Sequence, residues 1–528
     1  EHGFESPPRY FKDPARRTPI RADGRAFSQD GDMNIETGPI PRLPRGFRDI
    51  PPEDVLLRER MIASVCSVYR RYGFEPLETP HIEYLDALGK HLPDVDAPDG
   101  GVFAFRDDSA EWVALRYDLT APLARYVAEH EKDIVFPYRR YQVGPVFRLE
   151  KPGPGRFREF YQCDFDTVGA GSPAADAEAC CALADALEAA GVERGGYIVK
   201  INNRKALNGA LEAAGVVSAA DGSASDNSLV VLRAIDKLDR VGMDGVIRLL
   251  GEGRKDESGD FTKGAGLSNS QIDSIVKYLR ASGSGRTDVC DTLFEAVKDS
   301  ETGREGVSEL RAIHDMLSAA GFGEDRAVFD PLIVRGLAYY TGPVFEAALT
   351  FETTDERGEK KQFGSVAGGG RYDTLVERFL GRKVPATGAS IGVDRLMSAL
   401  KQLLPPDASA YSAPVLVTAM DPSLMPEYQK LVFEIRSAGI PAELFTGSGG
   451  FRKQLKYADR RNLPLAVICG EDELNSGTVS IKDLLLGREL SKDIKDRAAW
   501  VDDRPAQITA PRSELVATIK RMLSDNIK

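Results

Sequence analysis

The sequence predicts a mixed α/β protein of the α+β type: an antiparallel sheet flanked by helices, a helical insertion, and a separate C-terminal α/β domain. Three observations carry this expectation. Residues 102 to 168 read as successive strands and hairpins (VFAFRD, EWVALRYDLT, then YRRYQVGPVFRLE and REFYQCDFDTV across the turn KPGPG), a pattern of antiparallel pairing rather than of a doubly wound parallel sheet. Residues from about 204 to 325 switch to helical periodicity in SLVVLRAIDKLDRVG and SELRAIHDMLSAAG, broken by SGSG at 282 and EGRKDESGD at 252. After the linker LLPPDASAYSAP a fresh alternation begins with APVLVTAM and runs through PAELFTG, LPLAVICG and TVSIKDL, with helices between.

Length and composition are compatible with this plan. The chain has 528 residues, 42% hydrophobic and 28% charged, enough for about three domains. No run of eighteen apolar residues occurs and the first residues lack the order of a signal peptide, so a cytoplasmic protein without membrane association is expected. Six cysteines without CxxC spacing and only five histidines argue against disulfides and against zinc. The net charge of −12, from 69 basic and 81 acidic residues, weighs against a nucleic-acid partner globally but leaves a local basic patch open.

In chain order, residues 1–40 are polar and lack an apolar period, and read as a disordered or appended extension; an Arg-rich transit peptide is the weaker reading. DVLLRERMIASVCSVYRRYG then places Leu57, Met61, Val65, Val68 and Tyr72 at helical spacing with Gly73 as the stop, and FEPLETP reads as extended up to Pro80. A long helix is expected near 174 to 190. Just before it, Gly169, Gly171 and Ala174 stand in the GxGxxA order of a dinucleotide fingerprint. Ser172 and Pro173 explain the same turn as an N-cap followed by a proline at the first helical position. No GxxxxGK[ST] loop occurs.

The chemistry-bearing residues cluster on the strand-rich segments. FRLEKPGPGRFREF holds Arg148, Glu150, Arg156, Arg158 and Phe160 around a Gly/Pro turn; arginine forks suit phosphate oxygens, an aromatic covers a nucleobase and a carboxylate accepts its amino group. A solvated charged hairpin is the competing reading of that segment alone. Arg395 in GASIGVDRL and Arg335 in RGLAYYTGPVFEA add cations on further segments, and the four arginines together could surround a triphosphate.

At this point the sequence resembles a known family. FRLE, the turn, and Arg156 ahead of Phe160 are similar to the second signature of class II aminoacyl-tRNA synthetases; GASIGVDRL is similar to the third; and the helix ending in FEPLETP resembles the first, which in that class builds a dimer interface. RGLAYYTGPVFE and GGGRYD narrow the resemblance to the histidyl-tRNA synthetases, from about Pro44 to the C-terminus. The resemblance implies a catalytic domain over 41–410, carrying the insertion, and an anticodon-binding domain over 411–528. It implies L-histidine, ATP with Mg²⁺ and tRNA(His) as substrates, a homodimer, and neither zinc nor a prosthetic group.

The resemblance also implies roles. Arg148 and Arg335 would flank the α-phosphate, Arg156 and Arg395 would hold the outer phosphates, and Phe160 with Glu150 would grip adenine. Asp118, Thr120 and Gln162 would cradle the histidine amino group. Asp166, where many relatives carry Glu, and Tyr340, with Tyr339 beside it, would face the imidazole. Ala338 stands where many relatives have Asp, and KPGPG lacks polar residues that many bacterial relatives place near the tRNA acceptor end, which suggests less reliance on the extra 5′ guanosine of histidine tRNA. Arg452, Lys453, Lys456 and Arg460 in GGFRKQLKYADRRNLP, with Arg461, would meet tRNA. The rival reading is a synthetase-like, histidine-sensing regulatory subunit of ATP phosphoribosyltransferase; such proteins typically lack the anticodon domain and part of the arginine set.

Overall fold

A computed structural model describes residues 40–88, 101–149, 153, 155–217, 226–255, 261–334, 340–354, 360–402, 414–491 and 506–525. Glu1–Phe47 separates as a small unit from Arg48–Lys528; its described part, 40–47, holds a turn in which the Phe47 N–H donates to the Pro44 carbonyl at 3.1 Å.

The first long helix of the larger unit is Pro52–Arg71. Pro52 occupies its first turn with Glu53 and Asp54, while Arg70 and Arg71 close it, an arrangement that complements the helix dipole at both ends. Gly73 turns the chain at φ +77°, a backbone conformation glycine adopts without a Cβ clash. The buried stripe Met61, Val65 and Val68 follows the expected spacing, and Tyr69 joins it. The Tyr69 hydroxyl donates to the Cys163 carbonyl at 3.2 Å and its ring lies 4.8 Å from that of Phe165. The helix is thereby fixed to the back of one sheet strand.

That strand belongs to an eight-stranded sheet ordered Glu75–Pro76, Tyr138–Phe147, Glu159–Val168, Ala386–Gly392, Ser365–Arg371, Pro343–Leu349, Tyr197–Asn203, Ala327–Phe329. Its middle is antiparallel, led by the hairpin Tyr138–Phe147 with Glu159–Val168. Its two edges differ from the sequence expectation, because Glu75–Pro76 and Ala327–Phe329 pair in parallel. Each is separated from its partner by a long, helix-bearing connection, which is what parallel pairing requires. The strands Ala104–Arg106 and Trp112–Leu115 stay out of this sheet and form a small one with Ile82–Tyr84. Among the described residues from 204 to 319, the apolar side chains share one continuous core with the large sheet, from Leu207 and Val231 to Leu310 and Phe345. Helices Arg204–Ala213 and Glu301–Ala319 cross where a Cβ on Gly209 would meet the Gly303 backbone at 2.2 Å.

The second core lies in the C-terminal part, around a five-stranded sheet ordered Ala442–Leu444, Val415–Val417, Leu465–Ile468, Thr478–Asp483, Gln507–Pro511. Val415, Val417, Leu465 and Val467 face helices Met425–Ser437 and Leu515–Asp525, whereas Leu416 and Ala466 face Phe445, Leu463 and the helix Phe451–Arg460. Burial on both faces explains why these strands are apolar throughout.

The turn with the dinucleotide-like order is structural. Ser172 Oγ accepts from the Ala174 N–H at 3.2 Å ahead of the helix Pro173–Ala189. The buried Arg371 donates to the Ala170 and Ser172 carbonyls at 2.9 and 3.1 Å and to Asp176 Oδ2 at 2.6 Å. These contacts occupy the inside of the turn. Burial pushes the Asp176 carboxyl up to about 6, against the pull of Arg371. Since its folded value exceeds its ordinary 3.8, this group favours the folded state less as pH climbs from about 4 to 6. Removing Arg371 withdraws the pull downward and widens that window. Arg371→Ala should therefore lower stability by roughly 3–5 kcal/mol, with a larger deficit at pH 8 than at pH 5; urea unfolding at the two pH values measures this, and equal deficits would count against the pairing.

Candidate active site

A cleft of about 500 Å³ lies on the large sheet where Glu159–Val168, Ala386–Gly392 and Ser365–Arg371 run side by side. Strand alternation decides what lines it: Gln162, Asp164 and Asp166 point into the cleft, while Cys163 and Phe165 join the core beneath. Its floor is glycine. A Cβ on Gly388, directly opposite Asp166, would stand 2.2 Å from Asp166 Oδ1.

Three of the expected arginines line this cleft. Arg148, just past the strand Tyr138–Phe147, donates from Nε to the Tyr117 carbonyl at 3.0 Å, with its guanidinium carbon 5.2 Å from the Phe160 ring centre. Arg156 is exposed at the hairpin tip, where its N–H and carbonyl bond to Gly153 at 2.8 and 3.1 Å. Arg395 lies in the first turn of helix Val393–Leu400, and its Nη2 donates to the Phe363 carbonyl at 3.0 Å. Phe160, Asp118, Thr120, Gln162, Asp166 and Tyr340 line the same cleft. Glu150, Arg335 and Tyr339 lie outside the described residues, as do Ala338 and most of the KPGPG turn.

The supporting residues were less visible in the sequence. RYDLT is not a continuing strand: the strand stops at Leu115 and a helix runs over Thr120–Glu129. Asp118 Oδ1 accepts the Thr120 and Ala121 N–H groups at 3.1 and 2.9 Å, so this carboxylate also caps that helix. Gln162 Nε2 donates to Ser390 Oγ at 2.5 Å. Asp394, beside Arg395, accepts the Tyr161 N–H at 2.7 Å and pairs with Arg48 at 2.5 Å, and Arg48 covers the Phe157 ring at 3.7 Å.

Beneath the cleft, Asp166 is engaged on both carboxylate oxygens. The Tyr372 hydroxyl donates to Oδ1, and the fully buried Arg140 pairs with Oδ2 at 2.8 Å. Burial raises the Asp166 carboxyl and Arg140 lowers it, with the net direction upward. Asp164, two residues earlier on the same face, is pushed up to about 7 by burial against the opposing pull of Arg140. Period-two alternation in QCDFD carried the signal for Asp164, whereas Arg140 had no such signal because its strand partner is known only from the register.

In the C-terminal part, Lys453, Lys456 and Arg460 line a concavity of about 600 Å³ with Arg436, Tyr457 and Phe445. Arg452 is exposed on the same helix but does not line it. Arg461 is held by Glu443 at 2.7 Å.

Comparisons with known proteins agree with this geometry. A family model described as Histidyl-tRNA synthetase matches residues 46–396, and one described as Anticodon binding domain matches 414–522. The histidine–tRNA ligase of Cereibacter sphaeroides is 54% identical over 488 residues, covering 92% of this chain and 98% of the relative. That of Rhizobium leguminosarum is 55% identical over 489 residues, covering 92% and 95%. The crystal structure of histidyl-tRNA synthetase from a Nostoc species superposes with a TM-score of 0.69 at 30% identity, over 91% of this chain and 99% of that one. With a family model over most of its length and relatives above half identity across nearly all of theirs, the chain belongs to the histidyl-tRNA synthetase family.

Proposed function

We propose that this chain activates L-histidine with ATP to histidyl-adenylate and transfers the histidine to the 3′ end of tRNA(His). The observation that carries this reading is the convergence of Arg148, Arg156 and Arg395 in one cleft with Asp118, Gln162 and Asp166. Cations for a triphosphate and acids for an amino acid adjoin there. ATP enters as its Mg²⁺ complex. Residues 41–410 form the catalytic domain and 411–528 the anticodon-binding domain in this reading, with 1–40 an extension outside both.

The substrate carboxylate is ionised at neutral pH, so the first step needs no side-chain nucleophile or base. Its oxygen attacks the α-phosphorus, the bond to the β-phosphate oxygen breaks, and pyrophosphate leaves with the electron pair. The chain's contribution is alignment and charge stabilisation. Arg148 and Arg335 flank the α-phosphate, Arg156 and Arg395 hold the outer phosphates, and Phe160 with Glu150 grips adenine. Asp118, Thr120 and Gln162 take the amino group; Asp166, Tyr339 and Tyr340 form the ring end. A 3′-terminal ribose hydroxyl of tRNA then attacks the anhydride carbonyl, and AMP departs.

The basic concavity with Lys453, Lys456 and Arg460 suits an RNA backbone, and Tyr457 and Phe445 beside it suit base stacking; Arg452 extends the basic face. No helix among the described residues is long and apolar enough to cross a membrane, and the reading includes a cytoplasmic homodimer. Sedimentation should return twice the 57.6 kDa chain mass; a single-chain mass at micromolar concentration would remove the dimer.

Two experiments test the functional reading. Arg395→Ala should retain its fold yet lose at least about a hundredfold in histidine-dependent ATP–pyrophosphate exchange, and undiminished exchange would remove this arginine from the site. The double variant Lys453→Glu, Lys456→Glu should raise the KM for tRNA about tenfold or more while tRNA-independent exchange persists; unaltered aminoacylation would place tRNA elsewhere.

A further inference from the structure

The two arginines read as holders of the outer phosphates come from distant parts of the chain. Arg156 stands at the hairpin tip and Arg395 in the first turn of the helix Val393–Leu400. Beyond the bond from the Arg148 N–H to the Arg158 carbonyl at 2.9 Å, the hairpin narrows to the bridge between Gly153 and Arg156. The separation of the two arginines therefore depends on contacts that join this tip to the helix.

Arg48, just ahead of the helix Pro52–Arg71, makes such a contact in both directions. Its Nη2 donates to Asp394 Oδ1 at 2.5 Å, while Asp394 Oδ2 accepts the Tyr161 N–H at 2.7 Å. The carboxylate is 2% exposed and engaged on both oxygens, so it holds the guanidinium at a fixed place beside Arg395. The flat face of the same guanidinium lies 3.7 Å from the ring centre of Phe157, the neighbour of Arg156. Phe157 and Asp394 line the cleft together with Arg156 and Arg395. An arginine can serve both partners at once because its edge donates while its face stacks on a ring.

We infer that Arg48 is a positioning residue for ATP: it clamps Phe157 to Asp394 and so sets the spacing of Arg156 and Arg395 before the outer phosphates arrive. A tip ordered in advance leaves less conformational entropy to be lost on binding. The inference rests on the reading of the cleft as an ATP site.

In histidine-dependent ATP–pyrophosphate exchange, Arg48→Ala should raise the KM for ATP about tenfold and leave the KM for histidine unchanged. AMP carries the adenine and α-phosphate but no outer phosphates, so its inhibition constant against ATP should stay at the wild-type value. Phe157→Leu keeps the ion pair and removes the stacked ring; it should reproduce the rise in KM for ATP and add nothing in the Arg48→Ala background. A merely structural role for Arg48 would lower the active fraction, and hence the apparent kcat, without this split.

An unchanged KM for ATP in either single variant would overturn the inference, as would a parallel weakening of AMP. Additive effects in the double variant would also overturn it, because Phe157 would then act on the nucleotide independently of Arg48. If Arg48→Ala does not fold, Phe157→Leu with its ATP and AMP constants decides alone. Wild-type protein with no ATP–pyrophosphate exchange for any amino acid would instead remove the ATP reading itself.

Discussion

The buried guanidinium of Arg140 is the interaction on which the acidic end of the cleft depends. Two carboxyls, Asp164 and Asp166, sit on one face of a central strand with almost no exposure. Burying either as an isolated anion would be prohibitive. Arg140 is brought opposite Asp166 by the hairpin register and anchored by the Leu119 carbonyl at 2.9 Å. Its position explains why one acid is held by a salt bridge while the other, also buried and further burdened by the charge of Asp166, is pushed up to about 7. One cation shared by two acids leaves the site short of positive charge and hydrogen-bond donors. In the proposed reading, a histidine substrate with its ammonium group and ring N–H would supply what is missing.

A second tether couples that end to the arginine-lined end. Asp394 accepts from the Tyr161 backbone N–H and pairs with Arg48, which lies over Phe157. The acid next to Arg395 therefore fixes the helix Val393–Leu400 to the strand carrying Gln162, Asp164 and Asp166. The cations and the acids are consequently mounted on a single rigid hairpin-and-helix frame, which suits a reaction whose chemistry is mostly alignment.

How legible this was in the sequence differs by the range of the interaction. Elements set by local pattern could be read: the helix from Pro52 to Arg71 from its apolar spacing, the Ser172–Pro173 start from its capping chemistry, and the hairpin around KPGPG from its turn residues. Arg148, Arg156, Phe160 and Arg395 could be read because a recurring signature surrounds them. Arg140, Tyr372 and Arg48 could not, since their importance comes from partners 26 residues away for Arg140 and far more for the other two, set by register and packing. The parallel edges of the sheet were hidden for the same reason. Asp118 shows a different limit: the family resemblance gives this acid a place beside the substrate and the structure sets it on the cleft wall, but its duty as a helix cap appears only once the strand is seen to end at Leu115.

The charge distribution resolves an apparent conflict between the composition and the partner. A net charge of −12 repels a polyanion at long range, yet the attraction that matters acts within a screening length of about 8 Å at physiological ionic strength. Within that distance, the concavity beside the helix Phe451–Arg460 presents Lys453, Lys456, Arg460 and Arg436 with only Glu443 among them, and Glu443 is already paired with Arg461 and accepts from the Tyr457 hydroxyl. In the proposed reading, where this concavity meets tRNA, the net negative charge of the chain disfavours non-specific adhesion of RNA elsewhere, and the local cluster of cations would gain selectivity from that composition.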